Sequence, residues 1–406
     1  MTQPAPPSDD FALADEFALA AESTPLLPHV LGEIASAGGR IPFARFMALA
    51  LGHPEHGYYS RADLRWGREG DYETSPEVHS IFGYLWARQV RECWERLGRP
   101  SEFALVEPGA GSGAFMAAML TWLRARAPEC FAAARPTVLD GHPNRIEAQR
   151  RALLARGFEV EHALTEDWLS QPGQVTGVVI SNEFFDALPA HLVERRGDDL
   201  LEWYVTADGQ GALALVEGAP STPAIEAYFK GLGLLPGDGA RAEVGLAAVE
   251  AMRRLAARVE RGYVLTIDYG YTAAELYASW RKQGTLMAFR RHSPQPDPLA
   301  RPGLTDLTYH VDFTSLARAA GDGWQAAPPV AQSEALSVLG LAAAMQAAAA
   351  RAHEDAQRYA ADRRAAETLT DPAGLGRIRV LALARGAPVD GLRCLQPIET
   401  LMAPQG

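Results

Sequence analysis

From residue 103 onward the chain alternates short apolar runs with longer stretches that are apolar on one helical face, and this rhythm predicts the architecture. Residues 103–106 read as a first strand and 114–127 as its helix, then 136–140 as a second strand followed by a helix over 143–156. A third strand is expected at 158–163. A fourth, at 175–181, is almost wholly apolar, as a strand buried on both faces should be. A β-prone insert follows over 191–216, and a helix over 244–260 leads to a fifth strand at 263–267 that ends at Asp268. Strands and helices alternating at this interval predict an α/β fold with a doubly wound, mostly parallel sheet.

Either side of this core the pattern changes. Residues 25–98 are helical in character, with helices expected at 30–37 and 76–97 and a glycine- and aromatic-rich loop at 52–75. Pro76 in a first turn, behind Ser75 as N-cap, gives the second helix a conventional start. Residues 269–312 are rich in Gly, Pro, Arg and His and read as a long functional insertion. A strand near 324–331, an alanine-rich helix through 366 and extended segments at 377–384 and 392–397 close the chain. The expected organisation is a flexible tail (1–24), a helical and loop region (25–100), a ligand-binding core (101–270, with the β insert at about 190–216), an insertion (271–325) and a closing region (326–406).

Composition narrows the function classes. The 406 residues carry a net charge of −12, which argues against nonspecific nucleic-acid binding and suits a cationic substrate or a merely soluble protein. Cys93, Cys130 and Cys394 are far apart and form no CxxC pair, so buried thiols in a reducing compartment are expected. The first ten residues resemble neither a secretory signal nor an arginine-rich transit peptide, and the longest apolar stretch, 338–350, is too short to span a bilayer. A cytoplasmic protein without a membrane segment is the resulting expectation.

The sharpest chemical signal is Glu107-Pro108-Gly109-Ala110-Gly111-Ser112-Gly113, between the first strand and its helix. Glycine permits positive φ and close approach of a ligand, and the following helix start presents N–H groups. Glu107 would repel a pyrophosphate but suits a ligand with an ammonium group and hydroxyls, such as S-adenosylmethionine. Gly109, Gly111 and Ala114 also fit a dinucleotide fingerprint, and a ligand-free turn is a third reading. The interval from Gly113 to Asp140 exceeds the usual ~20 residues to a ribose-binding acid, which counts against the dinucleotide.

In an open parallel sheet the ligand sits beyond the carboxyl ends of the strands. There Asp140 is placed for the ribose hydroxyls, or is simply a helix cap, and Asp167 and Trp168 for the adenine edge and ring. The fourth strand delivers Asn182 and Glu183 toward the methyl group and its acceptor. Asp186 lies three residues beyond Glu183, so a helical turn would put both carboxylates on one face to grip a guanidinium. Equally, they may be read as acids favoured by a helix dipole. The segment 53–59 together with 70–76, including Asp71, Thr74 and Pro76, forms a loop expected over the cofactor or an ordinary aromatic surface loop. His310 and Asp312 share a face if extended, as a base pair for catalysis or a structural ion pair. His53 and His56 lack companions for a metal site.

These segments together resemble the MidA family of S-adenosylmethionine-dependent methyltransferases, whose members include a mitochondrial protein that methylates an arginine of a respiratory complex I subunit. The matching pieces are 53–59, 70–77, 107–113, 182–189, 267–270, 284–292 and 306–313, in the family's order and nearly chain-long. Asn182-Glu183-Phe184-Phe185-Asp186-Ala187-Leu188-Pro189 and Thr308-Tyr309-His310-Val311-Asp312-Phe313 carry most of the specificity. Departures are Tyr72, Phe289 and Asp140, where the family has phenylalanine, often tyrosine, and glutamate. The resemblance implies a class I methyltransferase fold, S-adenosylmethionine as cofactor and an arginine of a polypeptide as acceptor. An NAD(P)-dependent oxidoreductase and a noncatalytic assembly factor that binds the cofactor stay as competing readings.

Overall fold

The computed structural model describes residues 23–61, 64, 67 and 74–398. Its centre is an eight-stranded sheet built from β1 (Phe103–Pro108), β2 (Ala134–Asp140), β3 (Glu161–Leu164), β4 (Val175–Asn182), β5 (Val259–Asp268), β6 (Trp324–Ala326), β7 (Val330–Ala331) and β8 (Arg379–Arg385). The spatial order is β6-β8-β5-β4-β1-β2-β3, with β7 also on β8. β1 to β5 run parallel and β8 returns antiparallel against β5. The chain reverses its direction of winding between β1 and β4, which opens a crevice at their carboxyl ends.

Alternation along the strands explains why both faces are covered. Leu105, Val178, Ile180 and Leu265 pack under the helices Ile81–Arg96 and Ala114–Arg126. Val106, Val179 and Val264 point to the other face, against Met252, Leu255 and Leu316. Burial of each such side chain contributes roughly 1.5–3 kcal/mol, enough to fix β4 as the centre of the sheet.

The expected 191–216 insert is larger than its sequence pattern indicates. His191–Arg196, Asp199–Ala207, Leu213–Gly218 and Arg241–Val244 form an antiparallel sheet that also takes in Arg40–Pro42, from a region read as helical. Phe43, Phe46 and Val205 pack with Leu307 and Tyr309, so this second sheet braces the segment carrying His310. The helix expected over 76–97 is broken into Ser75–Val78 and Ile81–Arg96. His79 is extended there, its Nδ1 accepting the Ile81 N–H and its Nε2 lying 3.2 Å from Asp362. The alanine-rich helix is three helices, and 392–397 holds a 3-10 turn at Arg393–Leu395 instead of an extended segment. Cys93, Cys130 and Cys394 are free and buried. Among the described residues no single helix is long and apolar enough to cross a membrane. The tail 1–22 and Asp71 lie outside the described residues.

Candidate active site

The crevice is a cleft of about 1250 Å³, and the residues at the ends of β1, β2 and β4 line it together with those of the 271–325 region. Gly109, Gly111 and Gly113 all take positive φ, at 67°, 56° and 81°. A Cβ on Gly109 would lie 2.7 Å from the Phe184 ring, so only glycine lets the turn pass beneath that side chain. Gly113 does not line the cleft; it is the N-cap of the helix Ala114–Arg126 and packs against Leu153.

The start of that helix is not the open anion site expected from the motif. Ser112 Oγ accepts the Ala114 N–H, and the Glu107 carboxylate takes the Met116 N–H. Glu107 is only 3 % exposed, lines the cleft and leaves Oε2 without a partner. Burial, only partly offset by Met116, pushes its pKa well above the carboxylate range. A buried, unsatisfied carboxylate oxygen beside a capped helix fits a cationic or hydroxyl-bearing ligand and disfavours a pyrophosphate. Asp140 also faces the cleft. Its Oδ1 accepts the His142 N–H at 3.1 Å and its Oδ2 the Gln149 amide at 2.8 Å, while Gln149 reaches Gly111 O at 3.0 Å. Gln149 therefore ties the glycine turn to the acid at the next strand, and each Asp140 oxygen still has a free lone pair. Both acids and the glycine cradle fit S-adenosylmethionine.

Trp168 and Asp167 require a correction. The short helix Thr165–Ser170 turns Trp168 into the core, 3 % exposed, where the Arg258 guanidinium covers its ring at 4.6 Å. Asp167 is exposed to solvent, and neither residue lines the cleft, whereas Glu166 and Leu169 do. Thr74 and Pro76 line it, beside the described part of the loop expected over the cofactor. That loop is anchored by Asn144 Nδ2 on Ser60 O at 2.8 Å and by Ser60 Oγ against His142 Nδ1 at 3.2 Å.

After β4 the backbone is held in a sparsely populated conformation. Glu183 takes φ 49°, with its N–H on Ile267 O, and Asp268 Oδ2 accepts the N–H groups of Phe184 and Phe185 at 3.2 and 2.9 Å. Strain of this kind costs about 1–3 kcal/mol and persists where the surroundings impose it. Asp268, fully buried at the end of β5, supplies that constraint. Asp268 carries the same sequence signal as Glu107 and Asp140, an acid at the end of an apolar strand. Glu183 Oε1 accepts from Asn182 Nδ2 at 2.9 Å and from Ser75 N at 3.4 Å. Asp186 Oδ2 accepts from Thr308 Oγ1 at 2.8 Å, and Asp306 Oδ1 from the Tyr59 hydroxyl at 3.0 Å. Burial first, then the Asp186 charge, raises Glu183 to about 8, and burial raises Asp186 to about 6. Asp306, also unforeseen, adds to the same acidic floor.

His310 and Asp312 do not form a pair. Asp312 Oδ1 caps the helix Phe313–Ala319 through Thr314 N and Ser315 N, and its Oδ2 binds Tyr228 and Ser315 hydroxyls at 2.7 and 2.6 Å. This capping turns Asp312 away from the cleft, which it does not line. His310 stacks on Tyr269 with ring centres 6.1 Å apart and leaves Nδ1 unpartnered. Burial, then the charges of Arg377 and Arg281, pushes its pKa down to about 3, so the ring is neutral.

Comparison with known proteins agrees with this geometry. A family model described as "Putative S-adenosyl-L-methionine-dependent methyltransferase" matches residues 85–330. A COG1565 superfamily protein from Burkholderia thailandensis, solved with S-adenosyl-homocysteine bound, superposes with TM-score 0.81 at 30% identity, covering 92% of this chain and 95% of that one. Protein arginine methyltransferase NDUFAF7 homolog, mitochondrial, of Drosophila melanogaster is 31% identical across 86% of this chain and 82% of its own length. The Danio rerio protein arginine methyltransferase NDUFAF7, mitochondrial, is 29% identical across 79% of this chain and 78% of its own. These relatives are mitochondrial by name, which corrects the cytoplasmic placement expected above. The cofactor is S-adenosylmethionine, and the oxidoreductase and noncatalytic readings give way. With its class I methyltransferase fold, the chain belongs to the S-adenosyl-L-methionine-dependent methyltransferase family.

Proposed function

We propose that this methyltransferase acts on an arginine side chain of a protein. The observation that carries the reading is the acidic floor of Glu183, Asp186 and Asp306, which opens onto the same cleft as the Glu107 turn. Crowded carboxylates with raised pKa values are relieved by a cation, and a guanidinium offers planar, bidentate donors to two of them. The fly and zebrafish relatives, named as protein arginine methyltransferases, support the same acceptor. The MidA resemblance extends it to a subunit of respiratory complex I.

When bound, S-adenosylmethionine supplies an electrophilic methyl group. Glu107 and Asp140 hold the amino and hydroxyl groups at the glycine turn, with Gly109 and Gly111 giving close approach and Asn182 at the junction with the acceptor. Thr74 and Pro76, at the start of the helix Ser75–Val78, close this side. Glu183 and Asp186 orient the guanidinium and draw its charge to one side, exposing a nitrogen lone pair. Orientation and exclusion of water account for most of the rate in such an arrangement. A guanidinium keeps its proton to a pKa above 12, so a proton must leave with transfer. Glu183, near 8, is matched to receive it at neutral pH, whereas His310, near 3, is too weak a base.

The test is methyl transfer from radiolabelled S-adenosylmethionine to arginine-centred peptides and to mitochondrial or bacterial membrane extract, with mass spectrometry of the labelled residue. Methylarginine is expected. Label on lysine, a carboxylate or a small molecule alone would refute the acceptor.

A further inference from the structure

The cleft is polarised, with an acidic floor and arginines on its wall. Arg281 and Arg377 also line it. Arg281 stacks 4.8 Å from the Trp280 ring and 5.1 Å from the Tyr271 ring, and its Nε is buried without a partner. Arg377 is exposed to the cleft, and no hydrogen bond or ion pair joins its guanidinium to another described residue. Arg379, two residues on, shows the contrast, being locked to Glu275 at 3.0 Å. The charges of both arginines act on His310, whose buried Nδ1 is also unpartnered. A guanidinium has no acceptor, so this part of the wall offers donors that no hydrogen bond or ion pair to another described residue takes up.

The wall is built to hold its position. Glu243, 3 % exposed, accepts the N–H groups of Thr285 and Leu286 and the Thr285 hydroxyl at 2.8–3.0 Å, and Thr285 Oγ1 in turn accepts the His310 N–H at 2.9 Å. Gly284 takes φ 69°, and a Cβ there would lie 2.3 Å from the Glu243 carboxylate. At the mouth, Trp280 is 70% and Met287 43% exposed, aromatic and flexible apolar groups of the kind that anchor polypeptides.

We propose that Arg281, Arg377 and His310 form an anion subsite that reads a carboxylate side chain next to the methylated arginine of the acceptor polypeptide. The inference rests on the arginine reading above and adds a sequence requirement to it. Charge complementarity carries it: the floor takes a cation, the wall an anion. On a chain of net charge −12, a pair of unneutralised arginines inside the cleft offsets the general repulsion an acidic segment would meet. The cofactor's own carboxylate shares this chemistry and is separated from it by the test.

A peptide library with arginine fixed at the centre and degenerate flanks is methylated by the full-length protein, and the labelled peptides are sequenced. Aspartate and glutamate should be enriched about fivefold at one flanking position, the scale of an exposed charge pair. Arg377→Glu, at an exposed position, should reverse the preference to lysine and arginine there while S-adenosylhomocysteine affinity, read by calorimetry, is kept. Equal use of acidic and neutral flanks would overturn the subsite and leave the arginine reading standing. Lost S-adenosylhomocysteine affinity with an unchanged flank preference would assign the anion to the cofactor and overturn it too. Label absent from every arginine peptide but present on another residue type would sink both.

Discussion

The cofactor half of the cleft and its acceptor half are built from different kinds of sequence. The first comes from one contiguous turn, Glu107 to Gly113, and a single acid at the next strand, Asp140, with Gln149 bridging them. The second gathers Tyr59, Glu183, Asp186, Asp306 and Arg377 from segments far apart in the chain. In the cofactor half Asp140 accepts from His142 and Gln149, while Glu107 keeps one buried oxygen without a partner. In the acceptor half burial raises Glu183 and Asp186, and the Asp186 charge raises Glu183 further. The halves therefore differ in crowding: Glu107 and Asp140 end separate strands, whereas Glu183 and Asp186 are close enough for one charge to act on the other.

Glu183→Gln should divide the halves most sharply. Under the proposed function Glu183 orients the guanidinium and receives its proton, so removing its charge should lower kcat by about 10²- to 10⁴-fold. S-adenosylhomocysteine affinity should stay as in the wild type, because Glu183 touches Asn182 and Ser75 and not the glycine turn. Stopped turnover assays with parallel calorimetry check both; wild-type turnover would remove Glu183 from the mechanism.

Gly109→Ala is the opposite cut. Its φ of 67° and the Phe184 ring 2.7 Å from the new Cβ impose about 1–3 kcal/mol of strain, which read as S-adenosylhomocysteine affinity is about 5- to 150-fold. Saturating cofactor should restore most of kcat if the two halves are independent. A kcat that stays low at saturation would mean that the Phe184 contact couples them.

The same contrast explains what could be read from sequence. The glycine turn and the nearly all-apolar β4 are local patterns, so the parallel, doubly wound sheet and the turn at its centre follow from short windows. The acceptor side needs tertiary information. Asp306 reaches the cleft on a segment that the second sheet braces through Leu307 and Tyr309, and Arg377 reaches it from the turn before β8. Trp168 and Asp312 mislead for a local reason: each stands where a strand gives way to a helix, and the first helical turn rotates its side chain inward or onto backbone N–H groups. Periodicity places a residue in an element but does not fix the rotation of the element's first residues.

A pH profile sharpens the comparison further. Only ionised carboxylates attract the guanidinium, and in the free cleft Asp186 ionises near 6 and Glu183 near 8. The acceptor KM should therefore fall as pH rises, by about tenfold between pH 7 and 9, one pKa unit corresponding to a factor of ten. Cation binding pulls both pKa values down, so protons are released on binding at pH 7, measurable as a buffer-dependent heat. In Glu183→Gln the limb between pH 7 and 9 should vanish. A KM that rises with pH would contradict a cationic acceptor.

Asp312→Ala should have the smallest effect on activity and tests whether proximity to the cleft suffices for a role in it. Asp312 holds the Thr314 and Ser315 N–H groups and two hydroxyls, but does not line the cleft. Loss of the cap costs about 1 kcal/mol of stability, and the buried Ser315 hydroxyl left without Asp312 adds a similar amount. The melting temperature should drop by several degrees while kcat and both binding constants, measured well below it, stay unchanged. Glu183→Gln should show the reverse, turnover lost with the fold intact. Were Asp312→Ala to lower kcat without a fall in melting temperature, the His310–Asp312 segment would belong to the reacting half of the cleft and not to its frame.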